Sequence, residues 1–194
     1  ISVTGVQTCA STDLGRFQVP TRGHEELVRF VMSYAKSNGA EGRIYPSKSQ
    51  DRNKNPLPYP QKVQFLRLLF PWANIIDDPK AVNAFAICRE LSNKGYDDVT
   101  FVVGEDRVAD FETTIKKYIL PRNNPKFDKT KNYAFKKFKV ISSGARHEGI
   151  SGKDMRNYIR AGKFDAFMKV APTSNRALAR RIFNAARSEE HTSE

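Results

Sequence analysis

Thr21, Gly23 and His24 open the first amphipathic segment of the chain and could together bind phosphate. A helix N-terminus offers unpaired N–H groups and the positive end of the helix dipole. Residues three apart share one face of a first helical turn, so the Thr21 hydroxyl and the His24 imidazole can reach the same phosphate. Gly15 and Gly23 carry no side chain that would keep a nucleotide from the backbone. The alternative is that Thr21 is only an N-cap and His24 only a structural residue.

A second candidate helix start lies far downstream, in the stretch GISGKDMR. Ser151 can begin a helix there, and Lys153 and Arg156 lie three residues apart on one of its faces. Arg16 adds positive charge to the first motif. Two cationic helix starts suit a triphosphate, although an ordinary N-cap followed by a surface helix would give the same pattern.

The elements that must position these residues alternate along the chain. Strand patterns occur at 13–19, 42–47, 97–104 and 137–144, and helix patterns at 23–37, 61–69, 80–91 and 107–118, with short helices starting at Ser151 and Ser174. This order predicts an α/β protein with a Rossmann-like open parallel sheet and helices on both faces. Ligands bind such sheets at the carboxyl ends of the strands, where every unusual stretch of this sequence falls.

The charge of the chain predicts an anionic partner. Its 194 residues include 33 Lys and Arg against 21 Asp and Glu, a net charge of +12. The densest stretch, Pro121 to Val140, interleaves lysines with aromatic residues, as a nucleic-acid platform would. It also alternates as a half-buried strand does, and a small polyanion explains the charge equally well. We therefore expect a small phosphorylated substrate rather than nucleic acid or a membrane, and homo-oligomer formation stays open.

The two ends of the chain read as foreign sequence. Val3 to Ala10 and Arg187 to Glu194 resemble in-frame translations of the two strands of a sequencing-library adapter, which indicates a gene fragment assembled from metagenomic reads. We expect residues 1–10 and 187–194 to lack regular structure, which leaves one domain at 11–186 with a truncated first strand. Cys88 is then the one native cysteine, as is typical of a reducing cytoplasm.

Several motifs together resemble the nucleotidyltransferase superfamily with the T/HxGH signature, which has the HUP-type fold. GRFQVPTRGH is similar to the opening motif of that family, VVGEDRV to its strand end, and ISGKDMR to its ISSTxIR motif. KNPLPYPQKVQFL resembles the acceptor-side loop of phage-encoded members, related to nicotinamide-nucleotide adenylyltransferases and cytidylyltransferases. The resemblance covers nearly all of Gly15 to Pro172, with Thr21 in place of the usual first His and Lys153 in place of a Thr.

The resemblance implies transfer of a nucleoside monophosphate to a phosphate-bearing acceptor, with release of pyrophosphate. AMP from ATP and nicotinamide mononucleotide are the expected pair. Mg²⁺ would bridge the phosphates without a protein ligand. The implied location is the cytoplasm, or the host cytoplasm for a phage protein. The alternatives are a CTP-dependent cytidylyltransferase and a non-catalytic or basic nucleic-acid-binding relative.

The resemblance also assigns roles to residues of this chain. The implied catalytic residues are His24 at the α-phosphate, Thr21 at an α/β-phosphate oxygen, and Arg156, which clamps charge together with Arg16. The implied nucleotide-binding residues are Gly15, Arg16, Phe17, Gly23, Ser151, Gly152 and Lys153. The implied acceptor contacts are Asn55 and Asp106.

Overall fold

The computed structural model describes residues 9–51, 53–144 and 151–191. Within them, four strands are β1 (Cys9–Gly15), β2 (Glu41–Pro46), β3 (Asp98–Val103) and β4 (Lys137–Ser142). The helices are α1 (Arg22–Ser37), α2 (Tyr59–Leu69), α3 (Ala84–Asn93), α4 (Val108–Lys116), α5 (Gly152–Arg160), α6 (Phe164–Val170) and α7 (Arg176–His191). A short 3₁₀ turn, Glu105–Arg107, follows β3.

The four strands form one open sheet in the order β2-β1-β3-β4. β3 runs parallel to both of its neighbours, with Phe101 opposite Thr12 of β1 on one side and Val140 of β4 on the other. Both faces of β3 are buried, as its largely apolar sequence predicts for a parallel strand. The predicted α/β fold with a Rossmann-like parallel sheet is confirmed.

The described residues divide into two compact regions. The sheet region comprises 9–14, 30–45 and 78–144, and the helical region comprises 15–29, 46–51, 53–77 and 151–191. The sheet region packs α3 and α4 with most of the sheet. The helical region contains the residues that directly follow β1 and β2, and therefore most of the predicted site.

The helical region has an aromatic core of its own. Phe164 and Phe167 of α6 meet Phe183 of α7 edge to face, with ring centroids 5.4 and 5.3 Å apart. Met155 and Ile159 of α5 are fully buried as well. Because aromatic and aliphatic burial dominates helix packing, these contacts hold the start of α5 in place.

The boundaries correct several expectations. β1 begins at Cys9, and its residues Cys9 and Ala10 pair with β3 opposite Asp98 and Val99, so the prediction of no regular structure is wrong there. It is wrong also for 187–191, which continue α7. Residues 1–8 and 192–194 lie outside the described residues, and the foreign origin of both ends stays a prediction.

Other elements were placed imperfectly. β1 ends at Gly15, so the loop that follows is longer than predicted. α3 begins at Ala84 rather than at residue 80, because the Asn83 side chain accepts a hydrogen bond from the Ala86 N–H and caps the helix there. The sequence pattern did not predict α6, and it predicted only a short helix where α7 extends to His191.

None of the helices in the described part of the chain is both long and apolar enough to span a membrane.

Candidate nucleotide-binding site

Thr21 and His24 hold each other at the start of α1 through two reciprocal hydrogen bonds. The His24 N–H donates to the Thr21 hydroxyl oxygen at 3.3 Å, and the Thr21 N–H donates to His24 Nδ1 at 3.0 Å. This arrangement is a capping box in which His replaces the usual Glu or Gln at the third helical position. Two N–H groups of the helix start are thereby satisfied, which explains why a helix can begin with this sequence.

The same hydrogen bond determines which nitrogen of His24 carries the proton. A backbone N–H can only donate, so Nδ1 is the acceptor and the proton of the neutral ring lies on Nε2. Burial, together with the field of Arg16, lowers the pKa of His24 to about 4. Among the described residues, no acceptor lies within hydrogen-bonding distance of Nε2. His24 is therefore a neutral donor around pH 7.

The predicted contact between the Thr21 hydroxyl and a phosphate has a competitor in this cap. The hydroxyl lies 3.1 Å from His24 Nδ1 and accepts the His24 N–H, and Thr21 is only 5% exposed. The geometry favours the N-cap alternative for Thr21, with His24 as the group that it orients. Gly23 is exposed, and a Cβ there would meet only the Thr21 hydroxyl at 3.7 Å, so space for a ligand remains beside the helix start.

The loop that follows β1 carries Arg16 and Phe17 in contrasting environments. Arg16 is exposed, and its side chain has no hydrogen bond or ion pair with any described residue. Phe17 is completely buried, and its ring packs 5.0 Å from the His24 ring. The side chain of Phe17 therefore supports the imidazole, and only its backbone is available for the predicted nucleotide contact.

Ser151 caps α5 with a second capping box. Its hydroxyl accepts the Asp154 N–H at 3.3 Å, and the Asp154 carboxylate accepts the Ser151 N–H at 2.9 Å. The N–H groups of Gly152 and Lys153 have no acceptor in the described parts of the chain. These two amides and the exposed Lys153 side chain are consequently the groups of this helix start that a phosphate could bind, whereas Ser151 is occupied by the cap.

The start of α5 is in direct contact with the loop after β1. Arg156 donates a hydrogen bond to the carbonyl oxygen of Gln18. A Cβ on Gly152 would lie 3.1 Å from that same oxygen and 3.2 Å from the Arg156 guanidinium, so a larger residue would crowd this close approach. The structure thus brings together the two sequence motifs, with Arg156 serving as a link between them.

Gln18, which sequence reasoning did not single out, joins this loop to the segment after β2. Its side-chain amide donates to the Leu57 carbonyl and accepts the Leu57 N–H, both at 2.8 Å. Asn55 precedes this link and donates to the carboxylate of Asp51, while its own side-chain oxygen is buried without a partner among the described residues. The predicted acceptor residue Asn55 is therefore placed beside the loop that follows β1.

Asp106, the other predicted acceptor contact, belongs to the sheet region. It lies exposed in the 3₁₀ turn Glu105–Arg107, directly after β3, as the strand-end motif predicts. Its contact with an acceptor stays a prediction. The described residues contain no group of three His, Cys, Asp or Glu side chains that could hold a metal ion.

No protein-family model matches the chain, and a search of curated protein sequences finds no match. Solved structures do match its fold. A nicotinic acid mononucleotide adenylyltransferase of Plasmodium falciparum, complexed with APC, has a TM-score of 0.58 and 12% identity, over 93% of this chain and 98% of that one. A Vibrio parahaemolyticus protein assigned as a nicotinate-nucleotide adenylyltransferase has a TM-score of 0.57 and 16% identity, over 92% and 100% of the two chains.

The chain has the nucleotidyltransferase fold. A bifunctional NMN adenylyltransferase/ADP ribose pyrophosphatase of Francisella tularensis, complexed with AMP and a manganese ion, has a TM-score of 0.55 and 13% identity. The match covers 94% of this chain and 52% of that one. Within the nucleotidyltransferase fold, the residues from Gly15 to His24 follow the carboxyl end of β1, where ligands of open parallel sheets bind.

Proposed function

We propose that the protein transfers AMP from ATP to the phosphate of a small acceptor such as nicotinamide mononucleotide and releases pyrophosphate. An oxygen of the acceptor phosphate attacks the α-phosphorus of ATP. The bond between that phosphorus and the oxygen bridging to the β-phosphate breaks, and pyrophosphate leaves with that bridging oxygen. The reaction needs no covalent enzyme intermediate, so the protein contributes positioning and charge stabilisation.

The observation that carries the proposal is the hydrogen bond from the Thr21 N–H to His24 Nδ1. It keeps the proton of the imidazole on Nε2, on the opposite side of the ring, ready to donate to a phosphate oxygen. Such a donor stabilises negative charge that develops on the α-phosphate in the transition state. Since the pKa of His24 is about 4, this donor is neutral and available across the physiological pH range.

Four further groups supply positive charge or donors to the phosphates. The exposed Arg16 and Lys153 side chains make no hydrogen bond or ion pair with the described residues, and the Gly152 N–H has no acceptor there. We assign Arg16 to the α- and β-phosphates and the start of α5 to the β- and γ-phosphates. Arg156, which holds the Gln18 carbonyl, clamps charge while it fixes the two motifs together.

Mg²⁺ would enter as part of the nucleotide in this proposal. An ion held mainly by phosphate oxygens and water needs no dedicated protein cage. Bound in this way, the ion would neutralise phosphate charge. The Francisella tularensis neighbour is described with AMP and a manganese ion, which supports the use of a divalent ion with the nucleotide.

The acceptor is proposed from the structural neighbours together with the sequence motifs. The neighbours include nicotinic acid mononucleotide and NMN adenylyltransferases. Asn55, whose side-chain oxygen has no partner in the described residues, and Asp106 at the end of β3 are the proposed acceptor contacts.

Pyrophosphate release tests the proposal. The full chain is incubated with Mg²⁺, each of ATP, CTP, GTP and UTP, and a panel of phosphomonoesters that includes nicotinamide mononucleotide and glycerol phosphate. We expect pyrophosphate with ATP and nicotinamide mononucleotide, and its loss in a parallel His24→Ala preparation, which controls for contaminating activities. Release only with CTP and glycerol phosphate would replace AMP transfer by CMP transfer. If no combination of nucleotide and phosphomonoester released pyrophosphate, the proposal would be contradicted.

A further inference from the structure

Lys62 of α2 is completely buried, and its ammonium group lies between the chain segments that follow β1 and β2. It donates to the Arg16 carbonyl oxygen at 3.0 Å and to the Ser47 carbonyl oxygen, and the Ser47 hydroxyl oxygen lies 3.5 Å away. The Ser47 N–H in turn donates to the Gly15 carbonyl at 2.8 Å. The two segments are thus tied to each other directly and through a single side chain.

Burying an ammonium group without a carboxylate partner costs free energy, which makes it an unfavourable link between two loops. Its described partners are neutral oxygens, and no carboxylate lies within ion-pairing distance in the described residues. Removing a charge from water costs several kcal/mol unless a partner of opposite charge compensates. A neutral side chain such as Gln could hydrogen-bond the same oxygens at lower cost, so the positive charge itself needs a reason.

We propose that Lys62 is a positioning residue of the nucleotide site: it fixes the Arg16 carbonyl, and with it the loop from Gly15 to Gln18, in the conformation that binds phosphates. This inference rests on the proposed function. Once the Arg16 carbonyl is held inward, the Arg16 side chain is left exposed and without a partner in the described residues. The Gln18 carbonyl in the same loop is held by Arg156, so the loop is fixed at both ends.

The charge of Lys62 also responds to its surroundings in a way that an experiment can detect. Burial, and secondarily the field of Lys48, lowers the pKa of Lys62 to about 8. The described charged residues on the segments that follow β1 and β2 are the cations Arg16, Lys48 and Lys54 and one carboxylate, Asp51, which accepts hydrogen bonds from Asn53, Lys54 and Asn55 of its own loop. An anionic ligand bound to this loop would therefore favour the charged form of Lys62. Nucleotide affinity should therefore weaken as pH rises through this value.

The test measures the Kd of ATP by calorimetry in the wild-type chain, Lys62→Met, Lys62→Arg and the control Lys129→Met. Met fills similar volume without donors. Lys129 is an exposed lysine in the stretch from Pro121 to Val140, and its loss changes the net charge equally. We expect the Kd to rise about tenfold or more in Lys62→Met, as for loss of a charged hydrogen bond, and to stay unchanged in Lys129→Met.

A pH series from 7 to 10 separates positioning by charge from a merely structural role. The wild type should lose affinity above pH 8, whereas Lys62→Arg, which does not titrate in this range, should keep it. If Lys62→Met does not fold, the comparison of wild type with Lys62→Arg decides alone. Equal affinities in wild type and Lys62→Met, or a wild-type affinity independent of pH, would overturn the role of Lys62. Absence of ATP binding by the wild type would instead contradict the proposed function, and the role of Lys62 with it.

Discussion

Arg43 in the sheet region and Lys62 in the helical region are both buried cations, but their partners differ in charge. Arg43 donates to the Glu41 carboxylate at 2.6 Å and to the Tyr45 hydroxyl at 2.8 Å, and Tyr96 donates to the same carboxylate. Lys62 contacts only neutral oxygens among the described residues. One region neutralises its buried charge with its own carboxylate, and the other does not.

This difference distinguishes a structural ion pair from the site that we propose for an anion. Burial alone would lower the pKa of Arg43, but the Tyr45 hydroxyl and the Glu41 carboxylate raise it above its usual value. The cluster is therefore electrostatically complete without a ligand. In the helical region, burial and Lys48 lower the pKa of Lys62, and the exposed Arg16 and Lys153 carry further positive charge. A bound polyphosphate would supply the missing negative charge.

Arg43→Met sharpens the comparison through stability. Because the Glu41 carboxylate and the two phenols lose their cationic partner, the free energy of unfolding should fall by about 1–3 kcal/mol in urea titrations. The Kd of ATP for the folded variant should equal that of the wild type, since the cluster is complete by itself. A clear loss of ATP affinity without loss of stability would remove the distinction between the two regions.

The pH dependence of stability offers a second contrast, because the sheet region buries an acid whose pKa is raised and the helical region buries a base whose pKa is lowered. Burial raises the pKa of Asp13 in the sheet region to about 7, although Arg107 opposes the shift, whereas burial and Arg16 lower that of His24 to about 4. From about pH 4 to 6.5 the folded chain holds a proton on Asp13 that the unfolded chain lacks, so this contribution falls with pH. In the same range the unfolded chain holds a proton on His24 that the folded chain lacks, so the contribution of His24 to stability rises with pH.

The two slopes oppose each other, each by up to about 1.4 kcal/mol per pH unit. Wild-type stability should therefore change little between pH 4.5 and 6.5. Asp13→Asn should leave stability that rises with pH, and His24→Ala stability that falls with pH. Urea unfolding at three pH values checks this, and parallel profiles for the wild type and both variants would show that these groups titrate normally.

Thr21→Ala tests the capping box at the start of α1, and its expected effects are small. Loss of the hydroxyl should cost about 1 kcal/mol of stability, as for other N-caps. It should also lower kcat by about tenfold, because the imidazole loses one of the groups that orient it, a loss near 1.4 kcal/mol in the barrier. Thr21→Ser keeps the hydroxyl and should restore both. Activity lost equally in Thr21→Ser would point to a methyl contact instead.

Local signals in the sequence were sufficient for the fold class and for the two helix starts that form the candidate site. Hydrophobic periodicity and caps depend on near neighbours, so α1, α5 and the order of strands and helices could be predicted. The roles of Gln18 and Lys62 could not be predicted, because their partners lie 39 and 46 residues away. Gln in a loop and Lys in an amphipathic helix are also common, so neither residue type is a local signal. The choice between cap and phosphate ligand for Thr21 likewise depended on a geometry that spacing alone leaves open.

The central claim is that His24 donates from Nε2 to the reacting phosphate, and His24→Asn tests it most directly. Asn at this third helical position can still accept the Thr21 N–H and so preserve the cap, but it has no donor where Nε2 lies. We predict that kcat falls by about 10²–10³-fold in both His24→Asn and His24→Ala, with the Kd of ATP nearly unchanged. Melting stability should recover only in His24→Asn. Wild-type turnover in His24→Asn would contradict the account and leave His24 as a capping residue alone.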